Sequence, residues 1–505
     1  MRVGILTDFP SVAVMSGPAI HTRFLHDGLR ARGHEVTLVG PDPGDHEAQP
    51  EGTQVHLFRG VPYPSHPKVK IVLPWPARQV VDFPRLDLIH GQVNSHFSHY
   101  GIWQRRMHRT ALLNTHTIHL PTHSHFLLSD DLYEKPLLRD ILRHNADSME
   151  RNFAQMYNEG DALIVQSRFL VDYWRERGVE VPIEVVGRPI NPDIFSRAAT
   201  HDPFPAHFAR GSRLIVVCRH DREKNMEELL HLFAHHIAQA DRGVTLTLVG
   251  DGFEHMNLRA LADRLPHADR VFFAGEVHHS KLVDWYAHAD VFVYTSISET
   301  FGNVINEALW CGVPVVAYDD HMGVAHQVQD GYNGFLVEHG TSRSRAEFTE
   351  RVLALLYNRE LYRVMAEAAG TMSRRVAHPD VVLGRFEQIY ERAMRKAHDD
   401  NPMPLSTLNR RDQAKAFAKH IGTWGFWNTT LLGVAYTATR LGASRPSDQA
   451  DAETRAKAGA QPHPYVGPAT PDDVLARIRA VVEGAEGRAP EGRSLRRVLL
   501  SAIRP

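Results

Sequence analysis

Short apolar runs rich in β-branched residues alternate along this chain with stretches whose apolar positions recur every three to four residues. The first pattern predicts buried strands and the second amphipathic helices. Residues 3–7 read as a strand, followed by a loop holding Ser16, Gly17 and Pro18 and a helix over about 19–32. Gly33 ends that helix and a second strand begins at Glu35. Such a strand–helix–strand unit brings its two strands together in parallel. Further strands are expected at 86–90, 111–115 and 162–166. The rhythm restarts at Arg213, with strand patterns at 214–218, 245–249, 271–273, 291–294 and 313–317 and helical patterns such as 227–240 and 280–287 between them. The expected fold class is therefore α/β, two successive doubly wound parallel-sheet domains. Pro, Asp and Arg break the periodicity between 192 and 211, which sets the expected domains at 1–196 and 197–380, with a closing helix over 381–400.

Composition adds limits rather than chemistry. With 43% hydrophobic and 23% charged residues, the 505-residue chain is ordinary for a globular protein. A net charge of −2 gives no overall attraction to nucleic acid. Cys218 and Cys311 cannot form a disulfide scaffold and suit a reducing compartment. The first residues make too short an apolar run for a secretory signal, and no segment approaches the roughly 20 strongly apolar residues of a membrane span. A cytoplasmic protein is the expectation. The charge is uneven, however: residues 401–505 hold 15 Lys/Arg against 9 Asp/Glu.

The chemistry concentrates at 299–307. Glu299 and Glu307 are separated by seven residues, Glu299 in the loop after a buried strand and Glu307 early in the next helix. Backbone N–H groups at that helix start attract anions, and Gly302 lets a ligand approach the backbone closely. Carboxylates there suit sugar or ribose hydroxyls, since each accepts several hydrogen bonds. On their own, two such glutamates are more often capping or solvated groups. Arg219 and Lys224 follow the first strand of the same domain, where they could neutralise a diphosphate or merely form a surface charge cluster. Gly250-Asp251-Gly252 follows the next strand, in itself weak evidence.

Together these segments resemble glycosyltransferase family 4, a retaining, metal-independent group with the GT-B fold. Arg219 and Lys224 match its R-x4-K motif, and Gly250 and the Gly275 turn follow in order. The E-x7-E pair lies inside SETFGNVINEALWCGVPVVA, and the likeness covers residue 1 to about 396. The resemblance implies two Rossmann-like domains facing across a cleft. It also implies a nucleotide-sugar donor, most simply UDP-linked, and no required cofactor or metal. By the family pattern Arg219 and Lys224 hold the donor diphosphate and Glu307 the ribose. Glu299 contacts the transferred sugar, with Phe301, Gly302, Asn303 and Val304 nearby. Two departures stand out: Cys218 replaces the usual glycine before the motif arginine, and Val186-Gly187-Arg188-Pro189 replaces the usual hinge.

In the first half, Gly17 occupies the place of a phosphate-facing glycine turn. Asn114-Thr115-His116-Thr117 resembles a sequence of the family branch that glycosylates diacylglycerol and related lipids, which makes His116 the acceptor-side histidine. His119, His123 and His125 crowd the same region, so a metal site is the alternative there, although the spacings match no established zinc motif. In the extension, Arg410, Arg411, Lys415 and Lys419 precede Trp424-Gly425-Phe426-Trp427. A helix at a membrane interface fits that order, and so does a helical appendage packed on the catalytic domains. Residues 401–440 and 493–503 are the expected peripheral membrane contacts, with a flexible linker over about 441–471. The resulting expectation is a hexosyltransferase acting on a lipid acceptor. A soluble or polysaccharide acceptor, a non-catalytic sugar-nucleotide-binding protein and a nucleotide-sugar epimerase are the rivals.

Overall fold

The computed structural model describes residues 1–8, 17–42, 52–58, 60–62, 70–72, 83–92, 98–117, 150–209, 211–400 and 403–425. They form two compact units, one of residues 1–187 rejoined from 382 onward, the other containing residues 188–381. The break between them falls at Gly187/Arg188, nine residues before the expected boundary.

The first unit is built on β1 (Arg2–Leu6), β2 (Glu35–Pro41), β3 (Gln54–Phe58), a small antiparallel pair β4 (Gly60–Pro62) and β5 (Lys70–Val72), then β6 (Leu88–Gly91), β7 (Ala111–Thr115), β8 (Ala162–Val165) and β9 (Ile183–Val185). Its sheet has the order β3-β2-β1-β6-β7-β8-β9, all neighbours parallel. Val3, Ile5, Leu88, Leu113 and Ile164 are fully buried in its core. That core also takes Leu383, Phe386, Ile389 and Tyr390 from the helix Pro379–Asp400, so the chain returns to its first unit after the second is complete.

The second unit carries β10 (Arg213–Val217), β11 (Thr245–Val249), β12 (Val271–Gly275), β13 (Val291–Tyr294), β14 (Val315–Tyr318) and β15 (Gly334–Val337). The order β12-β11-β10-β13-β14-β15 is again wholly parallel. β10, β11, β13 and β14 are buried throughout, as their mainly apolar and β-branched residues require when helices cover both faces. Strand order reverses between β10 and β13, so the loops leaving their carboxyl ends diverge and leave a crevice, the usual ligand position in an open α/β sheet.

In the extension, the helix Arg410–His420 lies against the helix Ser98–His108. The Trp103 ring meets Phe417 edge-on at 4.9 Å, and His420 lies 5.3 Å from Trp103 and 6.0 Å from His99. His420 and Trp424 are buried. For residues 403–425 this matches the packed-appendage alternative, with Trp424 turned into the protein. Residues 426–440, 441–471 and 493–503 lie outside the described residues. No described helix is long and apolar enough to cross a membrane.

Candidate donor site

The strand reversal in the second unit brings together residues 75 positions apart. Lys224 ends a single helical turn after β10, and its Nζ donates to Glu299 Oε1 at 2.5 Å in the loop after β13. Tyr294 and Ser296 donate to the same oxygen at 2.6 and 3.2 Å. Both charged side chains are only 12% exposed. Burial works against the Lys224 ammonium, but Glu299 outweighs it and its pKa lies above the ordinary value. Asn225, in a left-handed conformation, holds the turn by donating to the Thr295 carbonyl at 3.3 Å.

Glu299 is fixed at its backbone as well. Its N–H donates to Asp320 Oδ2 after β14, and the same carboxylate accepts from the N–H groups of Met322, Val324 and Ala325 at 2.9–3.1 Å. Gly302 stands at φ 81° immediately before the helix Asn303–Trp310, a conformation that a side chain would strain. Gln327 donates to the carbonyls of Phe301 and Gly302, closing the turn from behind. Phe301 is buried and Val304 half-buried, so their side chains support the loop and their backbones shape it.

Glu307, the fifth residue of that helix, is 5% exposed. Its Oε2 accepts from Tyr286 and its Oε1 pairs with His279 Nε2, each at 3.0 Å. Gly250 is at φ 132°, and a Cβ there would stand 1.8 Å from the Cys218 carbonyl. Its N–H donates to the Gly275 carbonyl at 2.8 Å, tying the ends of β11 and β12, and Cys218 N–H donates to the Val249 carbonyl at 3.0 Å to join β10 to them. Cys218 itself is buried against Met226, so the cysteine in place of the usual glycine packs into the core. Arg219 is more open, 59% exposed, and is held by Asp221 and Glu223 of its own loop.

The structure therefore gathers Lys224, Glu299, Gly250, Gly275, Phe301, Gly302, Asn303, Val304 and Glu307 along one carboxyl edge of one sheet. Gly17 and His116 belong to the other unit. Gly17 is the first residue of the helix Gly17–Ala31, two residues before the helix expected there. His116 follows β7, buried, with Nδ1 3.2 Å from the Tyr157 hydroxyl and its ring edge-on to Trp174 at 4.7 Å. His119, His123 and His125 lie outside the described residues.

Two further residues belong to this edge: Arg188, which the sequence marks only as part of an altered hinge, and His279. Arg188 is 7% exposed, and its carbonyl accepts from Asn306 of the Asn303–Trp310 helix at 2.9 Å. Burial pushes its guanidinium down to about 10, against the pull of Glu299. Its signal was a lone cation in the apolar stretch 185–190. His279 gave no usable signal, being one of 33 histidines.

Two family models match in series. One described as Glycosyltransferase Family 4 covers residues 15–194, and one described as Glycosyl transferases group 1 covers residues 202–372. The chain belongs to glycosyltransferase family 4. Among similar proteins is the alpha-monoglucosyldiacylglycerol synthase of Streptococcus pneumoniae, 26% identical over 63% of this chain and 71% of that one. Another is the GDP-mannose-dependent alpha-mannosyltransferase of Mycobacterium tuberculosis, 26% identical over 79% of this chain and 99% of that one. Solved structures with the same fold include sucrose-phosphate synthase from Thermosynechococcus elongatus (TM-score 0.60, 19% identity, 78% of this chain, 99% of that one). The Anabaena protein HepE in complex with UDP is a second (TM-score 0.57, 19% identity, 77% and 100%). The enzyme is thus a glycosyltransferase of GT-B type that uses a nucleotide-sugar donor.

Proposed function

We propose that this glycosyltransferase moves a hexose from a UDP-linked donor to a lipid acceptor such as diacylglycerol, retaining the anomeric configuration. The observation that carries the reading is the Lys224–Glu299 pair at the strand reversal. It sets a cation for the leaving diphosphate beside a carboxylate for the sugar. In the reaction, the bond from the anomeric carbon to the phosphate oxygen breaks and the nucleoside diphosphate departs. The acceptor oxygen bonds to the same face of the sugar, and its proton passes to the leaving phosphate. Lys224, Arg219 and the N–H groups at 301–304 stabilise the developing diphosphate charge electrostatically. Glu307 accepts the ribose hydroxyls, and Gly250 and Gly275 allow the nucleotide close to the backbone. By the family resemblance Gly17 is assigned to the donor phosphates and His116 to the sugar or the acceptor hydroxyl.

The lipid acceptor is supported by the Thr115-His116-Thr117 sequence and by the diacylglycerol-acting relative. Peripheral attachment at the inner face of the cell membrane is part of the same proposal. The mannosyltransferase relative favours a second reading, with a GDP-linked donor and the same chemistry. With these cations at the phosphates, catalysis needs no divalent metal, and excess chelator should leave the rate unchanged.

Incubation with radiolabelled UDP-, GDP- and ADP-sugars and total lipid extract tests the proposal. Label from the UDP-sugar in the organic phase, with the donor's anomeric configuration by NMR, is the expected result. Label confined to a water-soluble product would overturn the lipid reading, and an inverted anomer the retaining one.

A further inference from the structure

Glu307 reaches the donor edge already engaged on both carboxylate oxygens, by two residues from two other elements. Tyr286 comes from the helix Leu282–Ala287 and is fully buried, its hydroxyl at 3.0 Å from Oε2. His279 comes from the turn after β12 and lies 23% exposed, its Nε2 at 3.0 Å from Oε1. A carboxylate offers about four lone-pair directions, so one protein donor on each oxygen leaves each with acceptor capacity. A glutamate held in this way presents two fixed acceptors about as far apart as the hydroxyls of a vicinal diol.

We propose that His279 is a positioning residue for the donor: with Tyr286 it locks the Glu307 carboxylate in the orientation that reads the 2′- and 3′-hydroxyls of the nucleotide ribose. This rests on the reading of Glu307 as the ribose carboxylate and adds what holds it there. Tyr286 supplies a rigid donor from the core. His279 supplies the donor at the rim, where Glu307 would otherwise swing toward solvent and lose side-chain order on each binding event. The packing restricts His279, since Phe195 meets its ring edge-on at 5.2 Å.

The geometry gives the pair a pH dependence. Burial disfavours the His279 imidazolium, but the hydrogen bond and charge of Glu307 outweigh it, so its pKa is raised. Tyr286 and Cys311 are the other titratable groups at the carboxylate, and burial together with the Glu307 charge raises both, so the hydroxyl and the thiol stay protonated. On the turn itself, His278 bonds Ser280 and Lys281 is the neighbouring cation. The ionic lock is therefore complete below the ordinary histidine range and is lost as pH rises through the raised His279 pKa.

The test uses the full-length enzyme, with UDP, GDP and their 2′-deoxy counterparts titrated by calorimetry and with donor kinetics beside them. His279→Ala should raise donor KM about tenfold with kcat nearly unchanged, and shrink the preference for ribo- over deoxyribonucleotide by a similar factor. His279→Gln, which can still donate to Oε1, should restore most of both and flatten the rise of KM with pH. If His279→Ala leaves KM and the ribose preference intact while Glu307→Ala removes them, the positioning role is wrong and the ribose reading stands. If Glu307→Ala also leaves the ribose preference intact, the ribose reading itself fails. A fall in kcat with unchanged KM for His279→Ala would likewise overturn the proposal.

Discussion

Lys224 and Glu299, one after β10 and one after β13, neutralise each other across the strand reversal at 2.5 Å. The two groups assigned to opposite ends of the donor thus serve as each other's counter-ion in the free enzyme. A buried pair of this kind is a weak source of net stability, because its desolvation cost offsets most of the attraction. Removing one partner is different, for it strands the other charge with 12% exposure.

This asymmetry gives the first prediction. Lys224→Met and Glu299→Gln should each destabilise the enzyme by about 3 kcal/mol, and the double variant by less than their sum, with a coupling of about 1–3 kcal/mol. Urea denaturation of the four proteins measures it. Each single variant should also lose at least about a hundredfold in kcat/KM, since both groups act on charge that develops in the transition state. Additive stabilities would mean that the two side chains do not share a buried site.

Arg188 supplies a second test. Its buried guanidinium feels Glu299, and its backbone is pinned to the donor helix by Asn306. We expect Arg188→Ala to lower kcat/KM by about 10²-fold and Arg188→Lys to recover part of it, because a point charge replaces the charge but not the planar fork. Steady-state kinetics with saturating acceptor decides it. Equal rates for the alanine variant and the wild type would restrict Arg188 to a structural part.

Asp320 organises the loop that carries Glu299 through four backbone N–H groups. Asp320→Ala leaves those donors without their acceptor and should cost about 2–4 kcal/mol by thermal or chemical unfolding, with a rise in donor KM. Asn at this position retains one acceptor oxygen and should lie between. A wild-type KM in the alanine variant would show that the Glu299 loop holds its shape without this carboxylate.

Much of the donor edge was legible because its parts are local. The spacing from Glu299 to Glu307 spans one loop and one helical start, and Gly302 announces the turn between them. The meeting of Lys224 with Glu299 was legible only through family resemblance, since no local pattern shows that β10 and β13 are neighbours. Short strands were missed where side chains dilute the apolar signal, as at Ile183–Val185, interrupted by Glu184. The return of Leu383, Phe386 and Tyr390 to the first core was illegible for a related reason. An amphipathic helix states that one face is buried, not against which sheet. Arg188 was read as part of a hinge because burial of a cation leaves no mark on periodicity.

His116 should behave as an acceptor-side group. Its ring is oriented by Tyr157 and Trp174, so His116→Ala removes the imidazole from a site whose walls remain. Transfer should fall by about 10²-fold or more, while calorimetric binding of the donor nucleotide stays within about twofold. Tyr157→Phe should show a smaller loss of the same kind. Full transfer by the alanine variant would remove His116 from the reaction.

The extension separates packing from charge. Phe417 and His420 face the helix Ser98–His108, whereas Arg411, Lys415 and Lys419 recur every fourth residue on the exposed side of the same helix. With Trp424 buried, attachment through residues 403–425 would rest on charge, about 1 kcal/mol for each basic residue near an anionic surface. Reversing Arg411, Lys415 and Lys419 to glutamate should therefore abolish flotation with anionic vesicles and leave the melting temperature almost unchanged. Phe417→Ala should do the opposite, lowering stability by about 1–3 kcal/mol through the lost aromatic contact while vesicle binding persists. Binding by the charge-reversed enzyme equal to wild type, insensitive to salt, would exclude this helix as the membrane contact.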